Sequence, residues 1–233
     1  MRDDDTPYPP HRALSPAEAR AADLEAASVH GVPSLVLMEH AGRGLAVLVA
    51  RRRGAPGPVV VVCGPGANGG DGFACARFLA SWGLPLRVFA TDPAPAVTSD
   101  AALERSLVAR DTEVTLLEER RGPEMLADAL ADASVVVDAL FGVGFSRGLS
   151  PRHAALVDAM NACGALRVAA DVPSGLDADL GVARPRAVRA HVTAAMGFVK
   201  RGCTIGDGVA CSGELVEIDI GLPRAVHARH LRV

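Results

Sequence analysis

VVVVCGPGANGGDGFACARFLA, residues 59–80, decides how this chain is read. An apolar β-branched run, Val59-Val60-Val61-Val62, meets a glycine-dense segment, residues 64–72, and a second periodic segment begins at Asp71. The order predicts strand, loop, helix. Parallel strands buried on both faces read as such continuous valine runs. The glycines let the backbone turn sharply and approach a ligand closely, because no Cβ intervenes. The loop leads into a helix N-terminus, where unpaired N–H groups and the helix dipole favour an anion. The stretch therefore predicts a phosphate-bearing ligand at residues 66–72.

Working outward, helices and strands alternate. Ser15-Pro16-Ala17-Glu18 carries a capping box with proline at the first helical position, so a helix is expected to about His30, where Gly31 and Pro33 end it. Ser34 is expected to cap a second helix to about Arg53, with Leu35, Met38, Ala41, Leu45 and Leu48 at helical spacing. After the central stretch come strands at 86–90, 113–117, 134–138 and 166–171, helices at 99–110, 123–131 and 151–163, and a break at Asp92-Pro93-Ala94-Pro95. Residues 188–196 and 214–220 read as late strands, joined by a glycine-rich loop containing Lys200, which is expected at the surface. This alternation predicts an α/β fold with a parallel sheet and helices on both faces. Residues 14–233 read as one domain, preceded by an acidic, proline-rich segment, residues 1–13, expected to be disordered.

Composition narrows the function classes. With 233 residues, 49 % of them hydrophobic but only 3 % aromatic, the core must be large and aliphatic. A formal net charge of −3 argues against a general nucleic-acid binder. No apolar run reaches the ~18 residues of a membrane span, and the N-terminus does not read as a signal peptide. Five cysteines form no CxxC or zinc-type spacing and read as small buried residues of a reducing, cytoplasmic compartment. His40 reads as structural.

In an open parallel sheet, ligands bind beyond the carboxyl ends of the strands. Three glycine-rich segments leave such ends: 64–72, 139–150 and 172–181. With the strand ends they carry Asn68, Asp71, Asp138, Ser146, Arg147, Asp171, Ser174 and Asp177, which predicts a composite site. Residues 64–69 fit the GxGxxG pattern of dehydrogenases, and Asp92 stands where a ribose-binding acid falls, but Pro65 sits in the turn and GGDG follows. A Walker loop is excluded because no GK[ST] follows. Asn68 reads as a residue that tolerates a left-handed backbone or as a ligand. Asp138 and Asp171 read as loop caps or as functional carboxylates. Arg147 reads as a phosphate contact or a solvated charge. Asn68, Asp138 and Ser174 offer one carboxylate and two neutral oxygens, a set suited to a hard, monovalent cation.

CGPGANGGDGFACARFL, VVDALFGVGFSRG and DVPSGLDADLG resemble the three signature loops of the NAD(P)H-hydrate epimerases, the YjeF N-terminal domain family. LSPAEARAADLEA and SLVLMEHAGRGLA resemble its two N-terminal helices, and AHVTAAMGFVKRG with GELVEIDIGLP its closing strands. The resemblance covers about residues 14–223. It implies a Rossmann-like three-layer α/β/α sandwich with a mostly parallel sheet, a homodimer, and epimerisation of the R and S forms of hydrated NADH and NADPH in nicotinamide nucleotide repair. It also implies a functional link to a separate dehydratase.

Residue by residue, the resemblance implies that Ala67, Asn68, Gly69, Gly70 and Asp71 contact the hydrated dinucleotide. Gly142, Val143, Gly144, Phe145, Ser146, Arg147 and Gly148 would contact it too, and Asp171 would act at the reacting end. Asn68, Asp138 and Ser174 would hold one potassium ion per subunit, in agreement with the oxygen set above. Four positions differ from the family pattern. Ala67 replaces the first asparagine of Asn-Asn-Gly-Gly-Asp. No lysine follows the second strand, Phe73 replaces a tyrosine, and Val199 precedes Lys200 where proline is common. These differences keep two alternatives open: an isomerase or cyclase of specialised metabolism on the same scaffold, or a non-catalytic nucleotide-binding protein.

Overall fold

The computed structural model describes residues 12–93, 98–145 and 148–230. Helix α1 (Pro16–Ser28) opens with the expected capping box. The Glu18 N–H donates to Ser15 Oγ at 3.2 Å, and the Ser15 N–H donates to Glu18 Oε2 at 2.8 Å. Helix α2 (Ser34–Arg52) departs from expectation. Pro33 is its N-cap, with φ −61° already suited to helix entry, and the Ser34 hydroxyl instead donates to Asp100 Oδ2 at 2.5 Å.

The chain then alternates: β1 (Val59–Cys63), α3 (Ala67–Ser81), β2 (Leu86–Ala90), α4 (Asp100–Val108), β3 (Val114–Leu116), α5 (Gly122–Leu130), β4 (Val135–Ala139), α6 (Pro151–Ala162) and β5 (Leu166–Ala170). It closes with β6 (Val192–Met196), a 3-10 turn (Arg201–Thr204), α7 (Gly208–Ser212), β7 (Glu214–Ile218) and α8 (Arg224–Ala228). The short helices α7 and α8 were not expected from periodicity, being too brief to show one. Strand β6 starts later than residue 188 because the preceding backbone bonds elsewhere: the Val188 N–H to Ser174 O and the Ala190 N–H to Cys211 O.

All seven strands are parallel, in the order β3-β2-β1-β4-β5-β6-β7. Alternate strand residues feed two cores. Val59, Val61, Val135 and Val137 pack with α2 and α3, while Val60, Val62 and Val136 pack with α5 and α6. Each fully buried valine contributes roughly 1.5–3 kcal/mol. The α/β expectation therefore holds, with helices on both faces. The order reverses between β1 and β4, the place where such sheets open a crevice.

The glycine-dense segment is shorter as a loop than expected. Helix α3 already begins at Ala67, so residues 67–71 form its first turn and Asn68 is helical rather than left-handed. Several of the glycines lie where a side chain would strike protein. A Cβ on Gly64 would lie 1.9 Å from Leu140 O, one on Gly69 1.9 Å from Gly64 O, and one on Gly72 2.6 Å from Ala139 Cβ. The glycines thus seat α3 against β1 and β4, and the loops after these strands touch. At the far edge, Leu14 and Lys200 form a parallel bridge, with Leu14 N–H on Val199 O at 2.8 Å and Arg201 N–H on Leu14 O at 2.7 Å. This bridge brings α1 to the carboxyl ends of β5 and β6.

Candidate active site

Asn68, Asp171 and Gly142 come together from three chain segments. An ideal Cβ on Gly142 would lie 3.2 Å from Asn68 Oδ1 and 3.2 Å from Asp171 Oδ2, so glycine leaves the space that separates the two polar groups. Asn68 is 7 % exposed, yet its Oδ1 and Nδ2 are both buried and have no hydrogen-bond partner among the described residues. A buried amide costs ~1–3 kcal/mol when unsatisfied, so the arrangement calls for a ligand that offers both an electropositive group and an acceptor.

Asp171 immediately follows β5 and has φ +66°, the one positive value among the described non-glycine residues. Such a backbone costs of order 1–3 kcal/mol and concentrates at functional sites. Its Oδ1 accepts from the Met196 N–H at 3.3 Å and forms an ion pair with Lys200 Nζ, which also donates to Met196 O at 2.8 Å. Oδ2 lies beside Gly142, as Asn68 Oδ1 does. Lys200 is 3 % exposed, which corrects the expectation of a surface lysine: the parallel bridge to Leu14 folds its segment inward, and Asp171 compensates its charge. A lysine is absent after β2, where Thr91 is buried against its neighbours, but the corner obtains one from the segment after β6.

Asp138 lies inside β4 and is 1 % exposed. Its Oδ1 accepts from Ser174 Oγ at 2.6 Å, and its Oδ2 from the Ser174 N–H at 2.8 Å. The Phe141 N–H donates to Ser174 Oγ at 2.9 Å. These bonds tie the loops after β4 and β5 together. Burial raises the Asp138 carboxyl to about 6, with the hydrogen bonds from Ser174 and Leu140 pulling the other way.

Asp71 is three residues beyond Asn68, on the same side of α3. Loss of water around it, then the charge of Asp171, hold its carboxyl well above the usual carboxylate range; Lys200 opposes this and Asp23 and Glu104 reinforce it. Asp23 of α1 lies on the solvent side of the same corner. Crowding by protein raises it to about 6, with Lys200 opposing and Asp171 adding. Three carboxyl groups thus surround one lysine. Lys200 was expected from sequence at the surface, and Asp23 was not singled out. Lys200 had one usable signal, its position in a glycine-rich segment following a strand end; Asp23 had none.

Of the other expected residues, Ala67 is exposed at the start of α3, while Gly69 and Gly70 are buried against protein. Val143, Gly144 and Phe145 continue from Gly142, and Phe145 stacks on Phe141 at 5.2 Å. Gly148 follows in the same loop. Ser146 and Arg147 lie outside the described residues, so the phosphate contact expected of Arg147 is not described, and neither is the expected disorder of residues 1–11. Asp177 is spent on structure: its Oδ1 accepts from the N–H groups of Asp179 and Leu180, and its Oδ2 pairs with Arg184 at 2.9 Å. His40 bonds Ile220 O, a structural contact as expected. Four of the five cysteines are buried and all five are unpaired.

A family model described as YjeF-related protein N-terminus matches residues 34–202. The chain is 33 % identical to an NAD(P)H-hydrate epimerase of Elusimicrobium minutum over 87 % of its own length and 93 % of the relative's. To one of Pirellula staleyi it is 36 % identical, over 90 % and 92 % respectively. A bifunctional NAD(P)H-hydrate repair enzyme of Thermofilum pendens is 39 % identical over 90 % of this chain, which spans only 40 % of that relative. The crystal structure of yeast YNL200c has the same fold, with TM-score 0.73 at 24 % identity, over 88 % of this chain and 87 % of that one. Among the described residues no helix is long and apolar enough to cross a membrane.

Proposed function

The chain belongs to the YjeF-related protein N-terminus family, and from that membership we propose that it interconverts the R and S forms of hydrated NADH and NADPH. The observation that carries the proposal is the meeting of Asp171 with the unsatisfied amide of Asn68 across Gly142. Such a pair is ready to engage a small polar group, and the Asp171 carboxylate favours positive charge on it.

The reacting carbon of the hydrate bears a hydroxyl and is bonded to the ring nitrogen, so it is a hemiaminal. Epimerisation follows if the hydroxyl leaves and returns on the other face. Asp71, its carboxyl raised by its surroundings, gives a proton to the leaving hydroxyl; the carbon–oxygen bond breaks, leaving water, an iminium ring and the Asp71 carboxylate. The Asp171 carboxylate, fixed by Lys200, stabilises the cationic ring. Water then adds to the opposite face, Asp171 accepts its proton, and the proton passes back to Asp71. No net proton is consumed.

The residues present fit a potassium ion. Asn68 Oδ1 is buried without a partner among the described residues, and Asp138 and Ser174 add a carboxylate and a hydroxyl oxygen. We propose these three as its ligands; when bound, the ion supplies positive charge that orders the loops around the substrate. Asn68 Nδ2 is then left to donate to the substrate.

A homodimer, a cytoplasmic location and a link to a dehydratase belong to the same proposal. The unpaired cysteines support a reducing compartment. The bifunctional relatives support a partner activity acting on the same damaged cofactor. The direct test supplies the resolved R hydrate and follows its conversion. Wild type should exceed the spontaneous rate, and equal inertness of wild type and Asp171→Asn would remove the epimerase reading.

A further inference from the structure

The loop after β4 is braced from outside by a side chain that the proposed chemistry does not use, His153. The braced part is a turn. The Phe145 N–H donates to Gly142 O at 3.0 Å, and the rings of Phe141 and Phe145, one before the turn and one at its end, stack at 5.2 Å. Gly142, the first residue of this turn, is the one that separates Asn68 from Asp171. The backbone entering the turn is fixed separately, because the Phe141 N–H donates to Ser174 Oγ. The rings are left to set how the rest of the turn lies.

His153 stands on the frame of the fold rather than on the loop. It belongs to the first turn of α6, and its neighbour anchors that turn. Arg152 Nη2 donates to Thr91 O at 2.6 Å, just beyond β2, and to Leu117 O, just beyond β3. The His153 ring meets the Phe141 ring edge to face, with centroids 4.9 Å apart, inside the range in which aromatic rings attract. Its Nδ1 lies 2.8 Å from Oγ of Ser150, the N-cap of α6 at the far end of the loop. One imidazole thus touches both ends of the loop. Its Nε2 is buried without a partner among the described residues, so the ring is held there against a desolvation cost. Burial, then the charge of Arg152, holds the imidazole below its ordinary range, with Asp92 opposing, which favours the neutral ring.

We propose that His153 is a positioning residue for this site. Its ring, anchored through α6 to the ends of β2 and β3, holds Phe141 and through it Phe145, and so keeps the turn at residues 142–145 in the form that receives substrate. Support of this kind matters because small misplacements of contacting groups weaken binding and turnover. The inference rests on the epimerase reading for the contact between this turn and substrate; the brace itself does not.

Three substitutions separate the ring from the helix cap. His153→Ala removes the ring contact and the Nδ1 bond, His153→Phe restores the ring alone, and Ser150→Ala removes the cap alone. In turnover of the hydrate, His153→Ala should raise KM about five-fold and leave kcat within about two-fold, because the entry to the turn still hangs on Ser174. His153→Phe should return KM to within about two-fold of wild type. Ser150→Ala should lower the melting temperature through loss of the cap, with KM unchanged. Hydrogen exchange reads the brace without substrate: the Phe145 amide should exchange about five-fold faster in His153→Ala and at the wild-type rate in His153→Phe. An unchanged KM in His153→Ala, or a KM that follows the melting temperature across all three variants, overturns the assignment and leaves the epimerase reading intact. An unchanged Phe145 exchange rate in His153→Ala overturns it as well. Ring-dependent exchange in a wild type that does not turn over the hydrate supports the brace and removes the epimerase reading.

Discussion

The junction of β1 with α3 and the corner formed by Asp171 and Lys200 lie side by side at the carboxyl edge of the sheet, and they are built on opposite principles. The junction is crowded with glycines because backbones touch there: Gly64 against Leu140 and Gly69 against Gly64. Its chemistry reduces to side chains that the glycines put in place, Asn68 and Asp71. The corner has an unusual backbone at a residue with a side chain, Asp171 at φ +66°, and a buried ion pair. Close packing fixes one region, whereas an unusual backbone and a buried ion pair mark the other. A motif dense in glycine is therefore poor evidence of ligand contact at each of its positions.

The largest effect separates the glycines from each other. Gly69→Ala drives a Cβ into the Gly64 carbonyl, and no flexible side chain can move aside, so folded protein should be lost from expression. Gly66→Ala meets nothing within 4 Å at an ordinary φ of −94° and should cost about 1 kcal/mol or less in urea unfolding. If Gly69→Ala folds with wild-type stability, the packing account of the junction fails.

Next comes Asp171→Asn. Asparagine tolerates positive φ at least as well as aspartate, so the backbone change is small while the carboxylate is removed. Epimerase turnover should fall about 1,000-fold. Lys200→Met leaves Asp171 buried without its cation and should destabilise by about 3–5 kcal/mol. The double variant should recover most of that stability, with no recovery of activity. Recovery of both would show that the pair serves the fold alone.

Much of this was legible in the sequence. The valine runs at β1 and β4, the capping box at Ser15 and the strand-end acids identified a parallel sheet and three converging loops. What escaped has physical causes. The helical state of Ala67 and Asn68 was hidden because four glycines in the seven residues 66–72 lower helix propensity, and contacts with Leu140 and Ala139 offset that. Lys200 was misjudged because isolated lysines are almost always exposed. Its burial depends on a bridge to Leu14, 186 positions away. Asp23 depends on the same long-range contact.

Asp71 extends the comparison to pH. Its carboxyl is raised by burial, so the native state binds that proton more tightly than the unfolded chain, where the ordinary value is near 3.9. Stability is unaffected by this group below that value and declines as pH rises from there towards the native value, by at most about 1.4 kcal/mol per pH unit. Asp71→Asn removes the dependence. Its melting temperature relative to wild type should therefore be more favourable at pH 8 than at pH 5, while epimerase turnover falls at both. A constant difference across that range would show that Asp71 is solvated in the native protein.

The smallest effect concerns the orphaned amide at the border of the two regions. If Asn68 Oδ1 turns to potassium, the ion binds only the folded chain and stabilises it by mass action. At ten times its dissociation constant the gain is about 1.4 kcal/mol, or roughly 3 °C for a chain of this size. Potassium chloride should raise the melting temperature by that amount over lithium or choline chloride at equal ionic strength. Asn68→Ala should abolish the difference while keeping the fold, since its amide holds no partner among the described residues. An equal response to all three salts would assign Asn68 to the substrate alone and leave Asp138 and Ser174 as the tie between the loops.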